Sequence, residues 1–148
     1  MHHPPIPIKI KRFDSSLPLP TKQSIGAAAL DMYARQTVTI KPGHFGYIPL
    51  NVALQIPPGY WVSLVVRSST HKHKLIPANG IGVFDEDYCG DDDEYKLIVY
   101  NVSKETVTVE RGVRIAQILV LPNLSLDVEE VAELGNKNRG GIGSTGTK

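Results

Sequence analysis

A single cysteine, Cys89, stands in the 148 residues, so no disulfide can form within the chain and a disulfide-stapled scaffold is excluded. A lone thiol fits a reducing compartment. Long apolar runs are missing as well. Nothing approaches the ~18 residues that a membrane-spanning helix needs, and the opening Met1, His2, His3, Pro4, Pro5 has neither the basic nor the apolar region of a signal peptide. The expectation is a soluble protein with no membrane partner, cytoplasmic, or nuclear or otherwise intracellular in a host if viral. Excess charge of one sign is absent too. Sixteen Lys and Arg face fifteen Asp and Glu for a net +1, so no overall field favours nucleic acid or an anionic membrane surface.

What is present suffices for a core. With 41% apolar residues the chain has the length of one domain, and a domain of this size buries roughly 68–70% of the surface its unfolded form exposes. Ile6, Ile8 and Ile10 alternate with Pro7, Lys9 and Lys11, the period-two signal of a half-buried strand, with Pro7 pointing to a sheet edge. Further β-rich runs cover residues 37–40, 52–56, 61–66, 95–100, 107–109 and 115–120. Pro42-Gly43, Pro57-Pro58-Gly59 and Arg111-Gly112 lie between them and reverse the chain. Short strands with turns at this spacing predict an all-β barrel or sandwich. Only residues 69–74 read as helical, with Ser69 or Thr70 as the N-cap. Residues 136–148 are glycine-rich with one apolar side chain, Ile142, and cannot bury enough to fold alone. The chain thus divides into a barrel, residues 1–135, and a flexible arm, residues 136–148.

Polar clusters interrupt the strands. In residues 26–34, GAAALDMYA, Asp31 is the only charge and needs a partner, a backbone donor or a cation with its waters; a turn-capping role is the plainer reading. Arg67, Ser68 and Ser69 follow an apolar strand and precede the helical segment, so a guanidinium fork, two hydroxyls and free backbone N–H groups form an anion site suited to phosphate. Residues 79–90, NGIGVFDEDYCG, open on Asn79-Gly80, which favours a two-residue hairpin turn. Asp85 follows the apolar Gly82-Val83-Phe84, at a core edge where a carboxylate can be held oriented and partly desolvated, as a general base toward water requires. Tyr88 offers a flat face for a sugar or base. Seven of the fifteen carboxylates fall within residues 85–94 with no basic residue among them, so this stretch must be mostly solvated or face a cation. Near the end, Gly140, Gly141, Ile142, Gly143, Ser144, Thr145 and Gly146 form a hydroxyl-bearing stretch of the kind that wraps phosphates.

These four segments, with GVRIAQ at residues 112–117 between the last two, resemble in order and spacing the five motifs of the trimeric dUTP pyrophosphatase (dUTPase) family. The resemblance implies an all-β, distorted jelly-roll β-barrel with one short helix, assembled as a homotrimer whose sites combine residues of neighbouring subunits. It implies hydrolysis of dUTP to dUMP and pyrophosphate with Mg²⁺. By motif position, Asp85 would deprotonate the water that attacks the α-phosphorus, and Asp31 would hold the water shell of the Mg²⁺. Arg67, Ser68, Ser69 and Gln117 fall where the family meets the phosphates. Asn79, Gly82 and Val83 fall in the hairpin that reads uracil, and Tyr88 where the family excludes a ribose 2′-hydroxyl. A triphosphate of about four negative charges beside Asp31, Asp85 and Asp87 calls for a cation between them.

Three departures stand out. Ile142 occupies the place of an aromatic that stacks on uracil, and such stacking is worth roughly 1–3 kcal/mol. Lys137 stands where the family carries Arg, with Arg139 two residues on, so the γ-phosphate contact can come from either. Asp91, Asp92 and Asp93 read as an inserted, solvated bulge. Two rival readings remain. The homologous dCTP deaminases resemble a chemistry needing a carboxylate in the strand after the third motif, and residues 96–101, KLIVYN, contain none. A non-catalytic nucleotide-binding regulator would not need Asp31, Arg67, Ser68, Asp85 and Gln117 together, because barrel stability demands none of them.

Overall fold

Alternation along the chain becomes strands in the computed structural model, which describes residues 5–141. The strands are β1 Lys9–Arg12, β2 Leu30–Tyr33, β3 Val38–Ile40, β4 Phe45–Pro49, β5 Val52–Gln55 and β6 Tyr60–Val66, then β7 Leu75–Pro77, β8 Gly82–Phe84, β9 Lys96–Asn101, β10 Val107–Val109 and β11 Arg114–Pro122. A single 3₁₀ turn, Thr70–His73, supplies the helical segment. Ser69 is its N-cap, as expected, but its side chain makes no capping bond. Four strands were not anticipated: β2, which carries a charge, β4, and the three-residue β7 and β8.

All pairings are antiparallel. One sheet has the order β2-β11-β6-β8, a second β4-β9-β7, and β1-β5 and β3-β10 form two-stranded ribbons. Together they make the expected distorted jelly-roll barrel around one core. β1 pairs only with β5 and begins at Lys9, so the expected strand is shorter at its start and Ile6, Pro7 and Ile8 precede the sheet. Met32, Ile48, Leu54, Val62, Tyr95 and Ile118 face inward, none more than 2% exposed. Each such side chain contributes on the order of 1.5–3 kcal/mol by leaving water. Among the described residues no buried side-chain polar atom lacks a hydrogen bond, and no helix is long and apolar enough to cross a membrane.

Asn51 joins the β-ribbon to the second sheet and holds a left-handed backbone, φ 71°. The conformation is tolerable for Asn because its short side chain bonds locally. Its Oδ1 accepts the Asp14 N–H at 2.7 Å and its Nδ2 donates to the Asp14 carbonyl at 3.0 Å, tying the N-terminal segment down. Asp14 is in turn gripped by Arg111 at 2.6 Å, and that bond, with those from Ser16, holds its carboxyl well below the usual range. Two substitutions separate conformation from hydrogen bonding at this residue. Asn51→Ala, losing both, should cost about 2–4 kcal/mol, and Asn51→Gly, which keeps the left-handed backbone accessible, about 1–2 kcal/mol. Denaturant unfolding of the two variants checks this; equal losses would show that the backbone conformation carries no cost.

Candidate active site

β2 places Asp31 and Tyr33 on one face and Met32 in the core, so the carboxylate lies at the barrel wall, 6% exposed. Asp31 is therefore a strand residue and not a turn cap. Its partner is a cation, in fact two. Arg67 Nε lies 3.2 Å and Arg114 Nη1 3.1 Å from the same oxygen, Oδ2. A nearly buried carboxylate is tolerable only with such partners, which is why a poor strand former can sit in β2. Arg67 Nη1 also donates to the Arg114 carbonyl at 3.0 Å, so the two arginines brace each other.

A bulge makes this possible. Pairing of β11 with β2 slips between Arg114 and Ala116, so that Arg114 stands opposite Tyr33 while Gln117 stands opposite Asp31. In a regular strand, residues three apart point to opposite faces; the extra residue, Ile115, turns Arg114 and Gln117 to the same one. The result is a cleft of about 350 Å³ lined by Gln23, Ala28, Asp31, Arg67, Ser68 and Gln117. Gln117 Nε2 leans on the Val66 carbonyl at 3.4 Å. His71 Nδ1 lies 2.7 Å from the Ser68 carbonyl and Thr70 Oγ1 donates to the Ile115 carbonyl at 3.0 Å, fixing the 3₁₀ turn against β11. Arg114 does not line the cleft but shares Asp31 with Arg67, so two guanidinium groups against one carboxylate leave this corner of the barrel one positive charge in excess, which suits an anion.

The second cleft arises where two sheets part. Gly80 has φ 72°, so Asn79-Gly80 does turn the chain, but β7 pairs with β9 and β8 with β6. The turn is a corner between sheets, not the expected hairpin. Between β8 and the part of β9 beyond β7 lies a cleft of about 270 Å³, lined by Asn79, Gly82, Val83, Tyr88, Glu94 and Leu97 among others. Walls made partly of strand edges offer backbone donors and acceptors in fixed positions. At its outer end Tyr88 rests on Phe84 and Tyr95, with ring centroids 5.5 and 5.8 Å away, and Phe84 and Tyr95 stack at 4.0 Å. Burial, and then the charges of Asp93 and Glu94, push the Tyr88 phenol up, so the ring stays neutral.

Asp85 directly follows β8, next to Phe84 of this second cleft, and is exposed, not partly desolvated as expected. Its acidic neighbours are not merely solvated either. Glu94 is 6% exposed and takes Arg35 in a two-toothed grip, 2.7 Å on each oxygen, which raises the guanidinium further above its ordinary value. Asp91 meets Lys11 through its carbonyl, 2.6 Å, and its carboxylate, 3.7 Å, while Asp93 caps the Gly90 N–H at 2.7 Å. So Asp91, Asp92 and Asp93 form a loop that is solvated as expected, Asp91 and Asp92 being exposed, and is also tied at two points. No group of three or more His, Cys, Asp or Glu among the described residues could hold a metal directly.

Of the expected site residues, Asp31, Arg67, Ser68 and Gln117 come together at the first cleft, and Asn79, Gly82, Val83 and Tyr88 at the second. Ser69 lines neither. Lys137 and Arg139 lie in exposed coil, and Ile142, Ser144 and Thr145 lie outside the described residues. Arg114 was missed, although the GVRIAQ motif contains it. Replacing it tests whether it serves the anion as well as Asp31: Arg114→Met should lower stability by about 1–3 kcal/mol and weaken binding of inorganic tripolyphosphate, followed by calorimetry, about tenfold. Unchanged affinity would confine Arg114 to bracing the strand pair.

Comparison with known proteins agrees with this geometry. A family model described as dUTPase matches residues 15–147. The SPbeta prophage-derived deoxyuridine 5′-triphosphate nucleotidohydrolase YosS of Bacillus subtilis is 39% identical over 143 residues, covering 95% of this chain and 99% of that protein. A deoxyuridine 5′-triphosphate nucleotidohydrolase of Caldanaerobacter subterraneus is 40% identical over 150 residues, covering 95% and 98%. Among solved structures, the Staphylococcus bacteriophage 80alpha dUTPase G164S mutant with dUpNHpp superposes with a TM-score of 0.82 at 20% identity, covering 95% of this chain and 98% of that one. With the fold, the motif order and the matched length in agreement, the chain belongs to the dUTPase family.

Proposed function

We propose that this chain is a dUTP diphosphatase, hydrolysing dUTP to dUMP and pyrophosphate by attack of water on the α-phosphorus, in sites shared between copies of the chain. One observation carries the reading: a slot with strand-edge walls for a flat base and an arginine-lined cleft for phosphates occur on one barrel, with Asp85 directly after Phe84 of the base slot. In the slot, backbone groups around Asn79, Gly82 and Val83 read uracil, and cytosine leaves buried polar groups unpaired. Tyr88, wedged on Phe84 and Tyr95, lies under the deoxyribose and leaves no space for a 2′-hydroxyl. Arg67, Ser68 and Gln117 take the phosphate chain, with Arg114 adding a second positive charge beside it.

Strand order supports the shared site. Asp31 on β2 and Asp85 after β8 are separated by β11 and β6, and the register adds four residues of offset, placing them roughly 15–20 Å apart. A base must lie within hydrogen-bond reach of the attacking water, and that water about 3–3.5 Å from phosphorus. Asp85 of one chain therefore works on a phosphate held by another chain's Asp31 cleft, and a head-to-tail contact of this kind closes into a ring. We take the ring to be the trimer that the family resemblance implies. Leu124, Leu126 and Val128 support an assembly: they alternate along the segment after β11 and are 77%, 83% and 86% exposed in the single chain. Packing against a neighbour would also supply the desolvation that Asp85 lacks here.

Residues of the first cleft fit Mg²⁺ that arrives with the nucleotide, not a resident ion. Asp31 Oδ2 is occupied by the two arginines, while Oδ1 meets no protein donor among the described residues and is free to accept hydrogen bonds from a cation's waters, which magnesium keeps. When bound, Mg²⁺ neutralises triphosphate charge and orients its oxygens. Residues 136–148 act as an arm over the filled site, with Lys137 or Arg139, Ser144 and Thr145 toward the terminal phosphates and Ile142 making an aliphatic contact with the base. Exposed coil at residues 136–141 supports an arm without a fixed seat. An exposed free thiol at Cys89 fits an intracellular setting.

Complementation tests the whole reading. Asp85→Asn should bind dUTP normally and lose orders of magnitude in kcat, and Asp31→Ala should be similarly inactive. Mixed assemblies of the two, refolded together, should recover about a quarter of wild-type sites, because each site pairs one intact half from either chain. No recovery from two folded variants would place both carboxylates of a site in one chain, and wild-type turnover by Asp85→Asn would remove it as the base.

A further inference from the structure

The excursion at residues 85–94, which bears Asp85 and Tyr88, leaves the barrel at Phe84 and rejoins it at Tyr95. Three carboxylate-bearing residues tie it back. Glu86 Oε2 accepts the Gly59 N–H at 2.9 Å, Asp91 meets Lys11 at 2.6 Å through its carbonyl, and Glu94 meets Arg35 at 2.7 Å on both oxygens. The first two ties are exposed, where water and salt weaken them. Only the third is shielded: the Glu94 side chain is 7% and that of Arg35 27% exposed.

We propose that the Arg35–Glu94 pair is a positioning device that sets the sugar end of the base cleft and so the preference for deoxyribose, an inference that rests on the dUTP reading above. The path is short. Glu94 Oε1 takes a second donor, the Asn51 N–H at 2.9 Å, so the carboxylate has one seat. Arg35 is itself seated, its N–H donating to the Pro49 carbonyl at 2.8 Å and its guanidinium lying 5.7 Å over the Phe13 ring. With the carboxylate fixed, the Glu94 carbonyl accepts the Tyr88 hydroxyl at 3.4 Å, and Tyr95, the next residue, is the ring against which Tyr88 leans. Glu94 also lines the base cleft, whereas neither Glu94 nor Arg35 reaches the phosphate cleft. Moving this anchor shifts the wall at the sugar while leaving the phosphate contacts in place.

The two charges are best removed together, because either alone would strand the other in the barrel wall. For Arg35→Leu/Glu94→Met, assayed with Mg²⁺ on dUTP and UTP, the expected result is a cooperative melt somewhat below wild type, because the buried Asn51 N–H loses its acceptor, a KM for dUTP about tenfold higher, a kcat reduced less than about threefold, and a dUTP-over-UTP preference in kcat/KM about tenfold lower. A double variant that melts cooperatively and keeps the wild-type KM and preference would overturn the proposal. Should the double variant not fold, Glu94→Gln decides: it keeps the shape and the acceptor for Asn51 but weakens the grip on Arg35. A reduced preference supports positioning, and an unchanged preference at lowered melting temperature shows the pair to be structural only. Failure of the wild-type protein to release pyrophosphate from dUTP would instead defeat the functional reading on which this rests.

Discussion

β7 and β8 are joined by the four residues 78–81, yet they belong to different sheets. Most of the functional geometry depends on that division. Had they paired as a hairpin, the backbone groups between β8 and β9 would be spent on a ladder and no slot would exist. Because β8 turns to β6 and β7 to β9, the barrel opens along a seam whose edges can read a base. The loop leaving β8 carries Asp85 and, lining the cleft, Tyr88.

A second constraint follows from strand order. The sheet β2-β11-β6-β8 sets the arginine-bound carboxylate at one side and the base slot at the other. Under the proposed function these are two half-sites, too far apart to act on one phosphate together. The division also separates two electrostatic problems. At β2, Asp31 is neutralised within the chain by Arg67 and Arg114, so the surface there is net positive and ready for an anion. After β8, the acids are held by Arg35 and Lys11 or left in water, and Asp85 is open to solvent.

Much of this could be read from the sequence, and what could not was non-local. β6, β10 and β11 announced themselves by β-branched runs, and Asn79-Gly80 announced a turn. The turn chemistry does not say which strands its flanks will join, so the corner passed for a hairpin. β2 was hidden because its central Asp is a poor strand former, made tolerable by arginines 36 and 83 residues away. Arg114 was given no role because the bulge that turns it beside Gln117 is a property of the β11–β2 register and not of either segment. The acidic run was legible as charge but not as anchorage, since Lys11 and Arg35 lie 80 and 59 residues from their partners. Asp85 was expected to be partly desolvated and is exposed, because the apolar residues before it belong to β8 and the chain leaves the barrel directly after Phe84.

The central claim is that base and phosphates of one nucleotide are held by different copies of this barrel. A crystal structure of the full chain with Mg²⁺ and a non-hydrolysable α,β-imido analogue of dUTP tests it most directly. The account predicts the uracil ring between β8 and β9 of one copy, beside Asn79 and Tyr88, and the phosphates against Arg67, Ser68 and Gln117 of its neighbour. A nucleotide whose base and phosphates both rest on a single copy, or whose base lies outside the seam, would contradict it.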